Sequence, residues 1–204
     1  MADLIIKPSV GNLILKDDQN VTRVSIAPTT GVTTLSNQVF PASQVFPAGH
    51  VLQVVSTLTT TQAVQTITTS DTQVGLLTKT ITPKGANSDF LVVVRWFGEC
   101  TDSHDIVFNI QQDGTRVNIN GQGRKYGLAM PLLTYPVSLD NSSTPSNVNF
   151  STLVSTSSAI GTGITFKVVA DGLSSLTLWN NRCFDTGSGR EMGTSEIIIT
   201  EIKG

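Results

Sequence analysis

Ser103, His104 and Asp105 are consecutive, and they are the three residue types of a hydrolase triad. That chemistry needs hydroxyl, imidazole and carboxylate to converge in space from the correct directions. Neighbours on an extended segment point to opposite sides. The run therefore reads as a polar loop between Phe97 and Ile106, and no catalytic residue is assigned. Glu99, Asp102 and Asp105 bring three carboxylates to the same stretch. With loop carbonyls they could hold calcium, but their spacing is not that of an EF-hand loop. Asp17 and Asp18 read most simply as turn residues. No paired carboxylates can be nominated to flank a groove, as a glycan depolymerase requires.

Gly121-Gln122-Gly123-Arg124-Lys125-Tyr126-Gly127 has the glycine density of a phosphate loop. It is not G-x-G-x-x-G and has no strand-to-helix context. Its Arg124, Lys125 and Tyr126 read as an exposed contact loop. Trp179 followed by Asn180 and Asn181 has the composition of a sugar-stacking platform, but core packing is the favoured reading. Cys100 and Cys183 are too few for a disulfide framework and read as half-buried thiols. A bridge between them requires Cα atoms within about 7 Å. With two histidines and no CxxC, zinc is not expected. Sequons at Asn20, Asn141 and Asn149 carry no weight without a secretory signal, and Met1 to Ile6 show neither a basic nor an apolar leader region. No cofactor is assigned.

The elements that would position these residues are strands. Of 204 residues, 39% are hydrophobic, 14% are charged and 28 are Thr, with a net charge of -2. Low charge and abundant Thr fit short strands with polar outer faces. Without a basic excess, nucleic-acid binding is not expected. Without a long apolar run, neither is membrane insertion. Asn12 to Lys16, Val21 to Ile26 and Val32 to Leu35 read as small strands joined by turns. Gln38-Val39-Phe40-Pro41-Ala42 recurs as Gln44-Val45-Phe46-Pro47-Ala48, which reads as an extended linker whose phenylalanines plug into the main domain.

From Gly49 onward, strands come at sandwich spacing. They are Val51 to Thr59, Val64 to Thr69, Leu76 to Thr82, Phe90 to Phe97, Ile106 to Gln111, Thr115 to Ile119, Asn147 to Val154, Ile164 to Val169, Leu176 to Trp179 and Glu196 to Ile202. The nearly continuous apolar run from Phe90 to Phe97 predicts a central strand covered on both faces. Asp113-Gly114 predicts a tight hairpin. The terminal strand, with Ile197, Ile198 and Ile199, is expected to be central in its sheet. No stretch holds a helical period. The expected fold is all-β: an antiparallel sandwich or jelly roll over 49–204 with about eight strands, a strand-rich arm over 1–37 and a linker over 38–48. An arm of two or three strands is marginal alone. Its apolar residues Leu13, Ile14, Leu15, Val21, Val24 and Ile26 are expected to attach it to a partner surface.

Several stretches, in order, resemble a β-sandwich domain of structural proteins in tailed phages of marine and cyanobacterial type. They are Phe46 to Val55, Leu76 to Ala86, Phe108 to Thr115, Ile164 to Val168, Leu176 to Asn181 and Glu196 to Ile202, preceded by Leu4 to Ile26. The family usually has a basic residue before the Asp-Gly turn, where this chain has Gln112, and the cysteine-containing loops have no counterpart. The resemblance implies a non-enzymatic protein of the virion surface, made in the host cytoplasm and usually a homotrimer. Its partners would be the major capsid protein or tail proteins, and a host surface glycan is a further candidate. Two placements are open: a head decoration (cement) protein, or a tail-fibre or spike tip that adheres to the host. The absence of sustained heptads and the short lead-in favour decoration.

Overall fold

Period-two alternation of apolar and polar residues sets the architecture, because each strand buries one row of side chains and presents the other. A computed structural model describes residues 13–16, 19–20, 22–26, 33–35, 47–101, 105–119, 126–131, 144–157, 159–185 and 191–204. The chain divides into two compact units, Met1–Val45 and Phe46–Gly204. All regular elements among the described residues are strands, and the protein is all-β.

The first unit holds a three-stranded antiparallel sheet of β1 (Leu13–Lys16), β2 (Thr22–Ile26) and β3 (Thr33–Leu35), in that order. Leu13 pairs with Ile26, Leu15 with Val24, and Val24 with Leu35. Asn20 takes a φ of 64° in the β1–β2 turn, and its Oδ1 accepts from Lys16 Nζ at 3.0 Å. Of the arm residues expected to attach, Val21 lies outside the described residues, as do Phe40 and Phe46 of the linker.

The second unit is a sandwich of two antiparallel sheets. One contains β4 (Val51–Thr59), β5 (Ala63–Ile67), β7 (Asp89–Cys100), β10 (Ser146–Ser155), β12 (Leu176–Asn180) and β13 (Ser195–Ile202). The other contains β6 (Thr72–Ile81), β11 (Ile164–Gly172), β8 (Ile106–Gln112) and β9 (Thr115–Arg116), in that spatial order. These ten strands correspond one for one to the ten stretches read as strands from sequence, two more than the rounded total of about eight. In the six-stranded sheet, β12 and β13 lie end to end along one edge of β7. β12 pairs with Gly98 to Cys100, and β13 pairs with Asp89 to Arg95. β4 flanks β13, β5 flanks β12, and β10 takes the other edge of β7. The sheet is therefore four strands wide, and residues 181–194 leave and re-enter it in the middle of a composite strand. The isoleucine-rich β13 sits between β4 and β7, inside its sheet as its composition predicts.

The core is built from inward rows. Phe90, Val92, Val94 and Trp96 of β7 meet Phe108 and Ile110 of β8, with Phe166 and Val168 of β11. Trp96 stacks tilted on Phe108 at 5.1 Å and Phe90 on Phe166 at 5.7 Å. Burying a side chain of this size contributes about 1.5–3 kcal/mol. The Trp96 indole nitrogen, deep in this core, donates to Asn180 Oδ1 at 2.9 Å.

The Asp-Gly hairpin forms as its residues demand: Asp113 and Gly114 take φ of 48° and 89°, the paired positive values of a two-residue turn between β8 and β9. β9 stops at Arg116 rather than Ile119. Asn118 enters the left-handed region at φ 52°, and its amide donates to Thr152 Oγ1 at 2.7 Å and to the Leu153 carbonyl of β10. The expectation that β7 is covered on both faces is corrected. Its inward row is fully buried, whereas Leu91 and Val93 on the outward row are half-buried and Arg95 is exposed.

Candidate functional site

The outward face of the six-stranded sheet has two halves. Over the β12 half, Phe184 and Gly193, from the described ends of the excursion between β12 and β13, lie against the sheet, while Val64 of β5 stays exposed. Phe184 packs edge-on against Trp179 at 5.0 Å, leaving the tryptophan 8% exposed. Glu99 on β7 is buried here, accepting from the Phe184 amide at 2.6 Å and from Thr144 Oγ1 at 3.1 Å. Gly193 lies against Phe97 so closely that a Cβ would come within 2.4 Å of the ring, which only glycine avoids. Asn181 stitches the excursion to the sheet. Its amide donates to the carbonyls of Thr59 and Thr61, and its Oδ1 accepts from Ser195 Oγ at 2.6 Å. A cavity of about 20 Å³, lined by Asn180, Asn181, Thr59 and Gly75 among others, lies at this seam and has room for one water.

Over the β13 half the face is open among the described residues. Val54 is 58% exposed, Leu58 56% and Leu153 50%, with Ile198, Val93 and Leu91 half-buried between them. Exposed aliphatic residues clustered in this way, here interleaved with Ser56, Thr200 and Ser151, are a feature of contact sites on folded proteins. Arg95 and Glu196 pair at 3.8 Å at the border between the halves.

The outward face of the four-stranded sheet carries a charged network. Arg116 holds both Asp71 and Asp171, the latter at 2.7 Å, and Gln111 Nε2 donates to Asp71 at 2.7 Å. The hydrogen bond with Asp71 is the largest influence on the Arg116 guanidinium. With the Asp171 contacts it outweighs the cost of burial and raises the pKa. Arg116 also sits 5.4 Å over the Tyr126 ring and donates to the Tyr126 carbonyl at 3.4 Å. Asn109 donates to that carbonyl too, at 3.3 Å, while its buried Oδ1 has no hydrogen-bond partner among the described residues. The network pins the base of the expected contact loop. Tyr126 is partly exposed, and Arg124 and Lys125 lie outside the described residues.

The other sequence candidates separate. Ser103, His104, Asp102, Asp17 and Asp18 lie outside the described residues. Glu99 is engaged by Phe184 and Thr144, and among the described residues no group of three His, Cys, Asp or Glu could hold a metal ion. Trp179 is no open platform, since Phe184 covers it and Asn180 and Asn181 are buried in hydrogen bonds. Cys100 packs against the core, and Cys183 is buried in the excursion with its Sγ on the Asp185 carbonyl at 3.3 Å.

One strong carboxylate site went unassigned from sequence. Glu201 is fully buried near the end of β13 and accepts from Gln53 Nε2, the amides of Lys84 and Gly85, and Ser88 Oγ, all at 2.6–3.0 Å. Burial pushes its pKa up, but these hydrogen bonds outweigh that and hold it below the usual 4.5. Every acceptor position is used internally, so Glu201 is a structural clip for residues 82–88. No protein-family model matches the chain, and the curated proteins give no match. No helix among the described residues is long and apolar enough to cross a membrane.

Proposed function

We propose that the chain is a non-enzymatic structural protein that works by packing against other chains, and that its place is the surface of a virion as a head decoration protein. The observation that carries the first part is the exposed aliphatic row of Val54, Leu58 and Leu153, on a sheet whose other half has Trp179 and Glu99 covered by the chain's own Phe184 while Val64 stays exposed. Exposed apolar surface is costly in water, and burying it against a neighbour returns about 25 cal/mol per Å². The buried carboxylates described above hold loops in place, which suits a rigid building block. The placement on a virion rests on the ordered resemblance of six stretches of the sandwich, and of the arm, to phage structural proteins. The small arm sheet, too short to stand alone, fits attachment to a shell.

The test is copy number on the particle, by quantitative mass spectrometry of purified virions from the source genome. Occupancy in the hundreds is expected. A few dozen copies or fewer would move the protein to the tail, and absence from particles would end the virion reading.

A further inference from the structure

The bare half-face carries a pattern across its strands. Read from β4 to β10 through the register, one row is Ser56, Ile198, Val93 and Ser151. The row beside it is Val54, Thr200, Leu91 and Leu153, and on the other side comes Leu58, Glu196, Arg95 and Asn149. The first row reads the same in both directions by chemical type: hydroxyl, aliphatic, aliphatic, hydroxyl. The second has an exposed aliphatic residue at each end. The third has an acid and a base in its two central places, already in contact at 3.8 Å within the chain.

A face with that arrangement is complementary to itself. Turned over about an axis that runs parallel to the strands between β13 and β7, Ile198 meets Val93 of the second copy and Val54 meets Leu153 of the second copy. Glu196 meets Arg95 of the second copy, and the same contact forms again across the axis. We propose that this half-face is a twofold interface and that its occupant is a second copy of the chain. A twofold contact uses one patch on both partners, whereas a threefold contact joins two different patches. The self-match in residue type and charge, broken where Leu58 meets Asn149 and Thr200 meets Leu91 of the second copy, therefore points to pairs, and any trimer of the kind the resemblance implies would use other surfaces. Two such sheets would pack about 10 Å apart with strands some 30° from parallel. The contact near the axis survives that rotation best, and Ile198 and Val93 lie there.

Size sets the strength. Four strands at ~4.8 Å and seven residues at ~3.3 Å span roughly 19 by 23 Å, on the order of 440 Å² in plan. A standard interface buries about 800 Å² per partner, so the pair is weak in dilute solution and forms where the chain is concentrated. The proposal rests on the assembly reading only in treating this face as a contact surface. It is tested on the purified full chain, so its failure leaves the particle count to judge that reading.

Sedimentation velocity over a wide concentration range should show a monomer–dimer equilibrium. L153K, with a fold verified by circular dichroism, should abolish it, and the milder L153S should weaken it. The decisive arm uses R95E and E196R. Each alone places like charges across the axis and should weaken the dimer by about tenfold. Mixed, the two variants regain opposite charges at both contacts, and native mass spectrometry should show the heterodimer in preference to either homodimer. An intrachain pair cannot produce that rescue. A monomer at every concentration, a mixture without heterodimer preference, or an oligomer indifferent to both Leu153 variants would overturn the proposal.

Discussion

β7 runs beneath both halves of one sheet face, yet the halves have opposite fates. From Phe97 to Glu99 its outward side chains are covered by Phe184 and Gly193 beside the Trp179 ring, although Val64 on β5, opposite Trp179, stays exposed. From Leu91 to Arg95 no such cover is present among the described residues, and Val54, Leu58 and Leu153 on the flanking strands β4 and β10 are half exposed or more. The sealed half uses aromatic rings around a buried carboxylate that accepts a backbone amide. The bare half uses short aliphatic side chains interleaved with Ser and Thr, which water tolerates. The difference teaches that burial on an outward face is a property of what the chain lays over it: a carboxylate can be buried only where a donor comes with the cover.

The largest effect expected from breaking this arrangement is at the clip that ends the bare half. Glu201→Ala would strand the buried amide of Gly85 and the part-buried amide of Lys84, while the Ser88 hydroxyl keeps the Gly85 carbonyl as its acceptor at 3.1 Å. At 1–3 kcal/mol for each stranded group, partly relieved by entering water, the net loss should be about 3 kcal/mol in denaturant unfolding. Acid should act on the same group. The folded pKa lies below 4.5, so the stabilisation is complete above that value and is lost as pH falls through the lower folded value. Glu201→Gln should be less stable at neutral pH, with a shallower decline below pH 4.5. A variant that declines as steeply as the parent would assign the acid sensitivity elsewhere.

Next comes the sealed half. Glu99→Ala removes the acceptor for the Phe184 amide and Thr144. It should cost about 2 kcal/mol and shift Trp179 emission to the red as Phe184 loosens. An unchanged spectrum would show that the cover is held by Asn181 and Gly193 alone.

What the sequence made legible was local. Strand positions followed from alternation, and the Asp113-Gly114 turn followed from two residues suited to positive φ. The bare outward row of β7 was not legible, because its apolar run matches that of a strand covered twice and the covering segment is distant in the chain. Among the described residues, Phe184 and Gly193 lie over the β12 half for a topological reason: β12 and β13 share one edge of β7, and the segment that carries them leaves between the two strands. At the charged network, Tyr126 could be read as part of a contact loop, whereas its anchor could not. Arg116 meets Asp71 and Asp171 at sequence separations of 45 and 55 residues. Glu201 did leave a signal, an acid in the inward place after Ile197 and Ile199, where alternation predicts an apolar residue.

A smaller effect belongs to the lid of the sealed half. Phe184 is itself exposed on its far side, so Phe184→Ala loses the edge-on contact with Trp179 and part of its burial rather than a core packing element. About 1 kcal/mol is expected, with Trp179 becoming accessible to a neutral quencher such as acrylamide. A loss above about 3 kcal/mol would mean that the excursion folds as part of the core.

The smallest effect on the folded chain should come from the bare half, and its smallness is what separates the two regions. Leu153→Thr on β10 replaces a side chain already half in water with one that suits a strand equally well. The unfolded chain exposes the same leucine, so little burial is lost. Asn118 donates to the Leu153 carbonyl, a backbone contact that the substitution leaves in place. The change in unfolding free energy of the dilute, monomeric chain should therefore stay within about 0.5 kcal/mol. At high concentration the same variant should lose whatever stability pairing adds, because an interface stabilises the folded state by mass action. A melting temperature that falls in the variant even at the lowest concentration would show that Leu153 is packed within its own chain. The bare half would then be a second sealed half, and the contrast on which the interface rests would disappear.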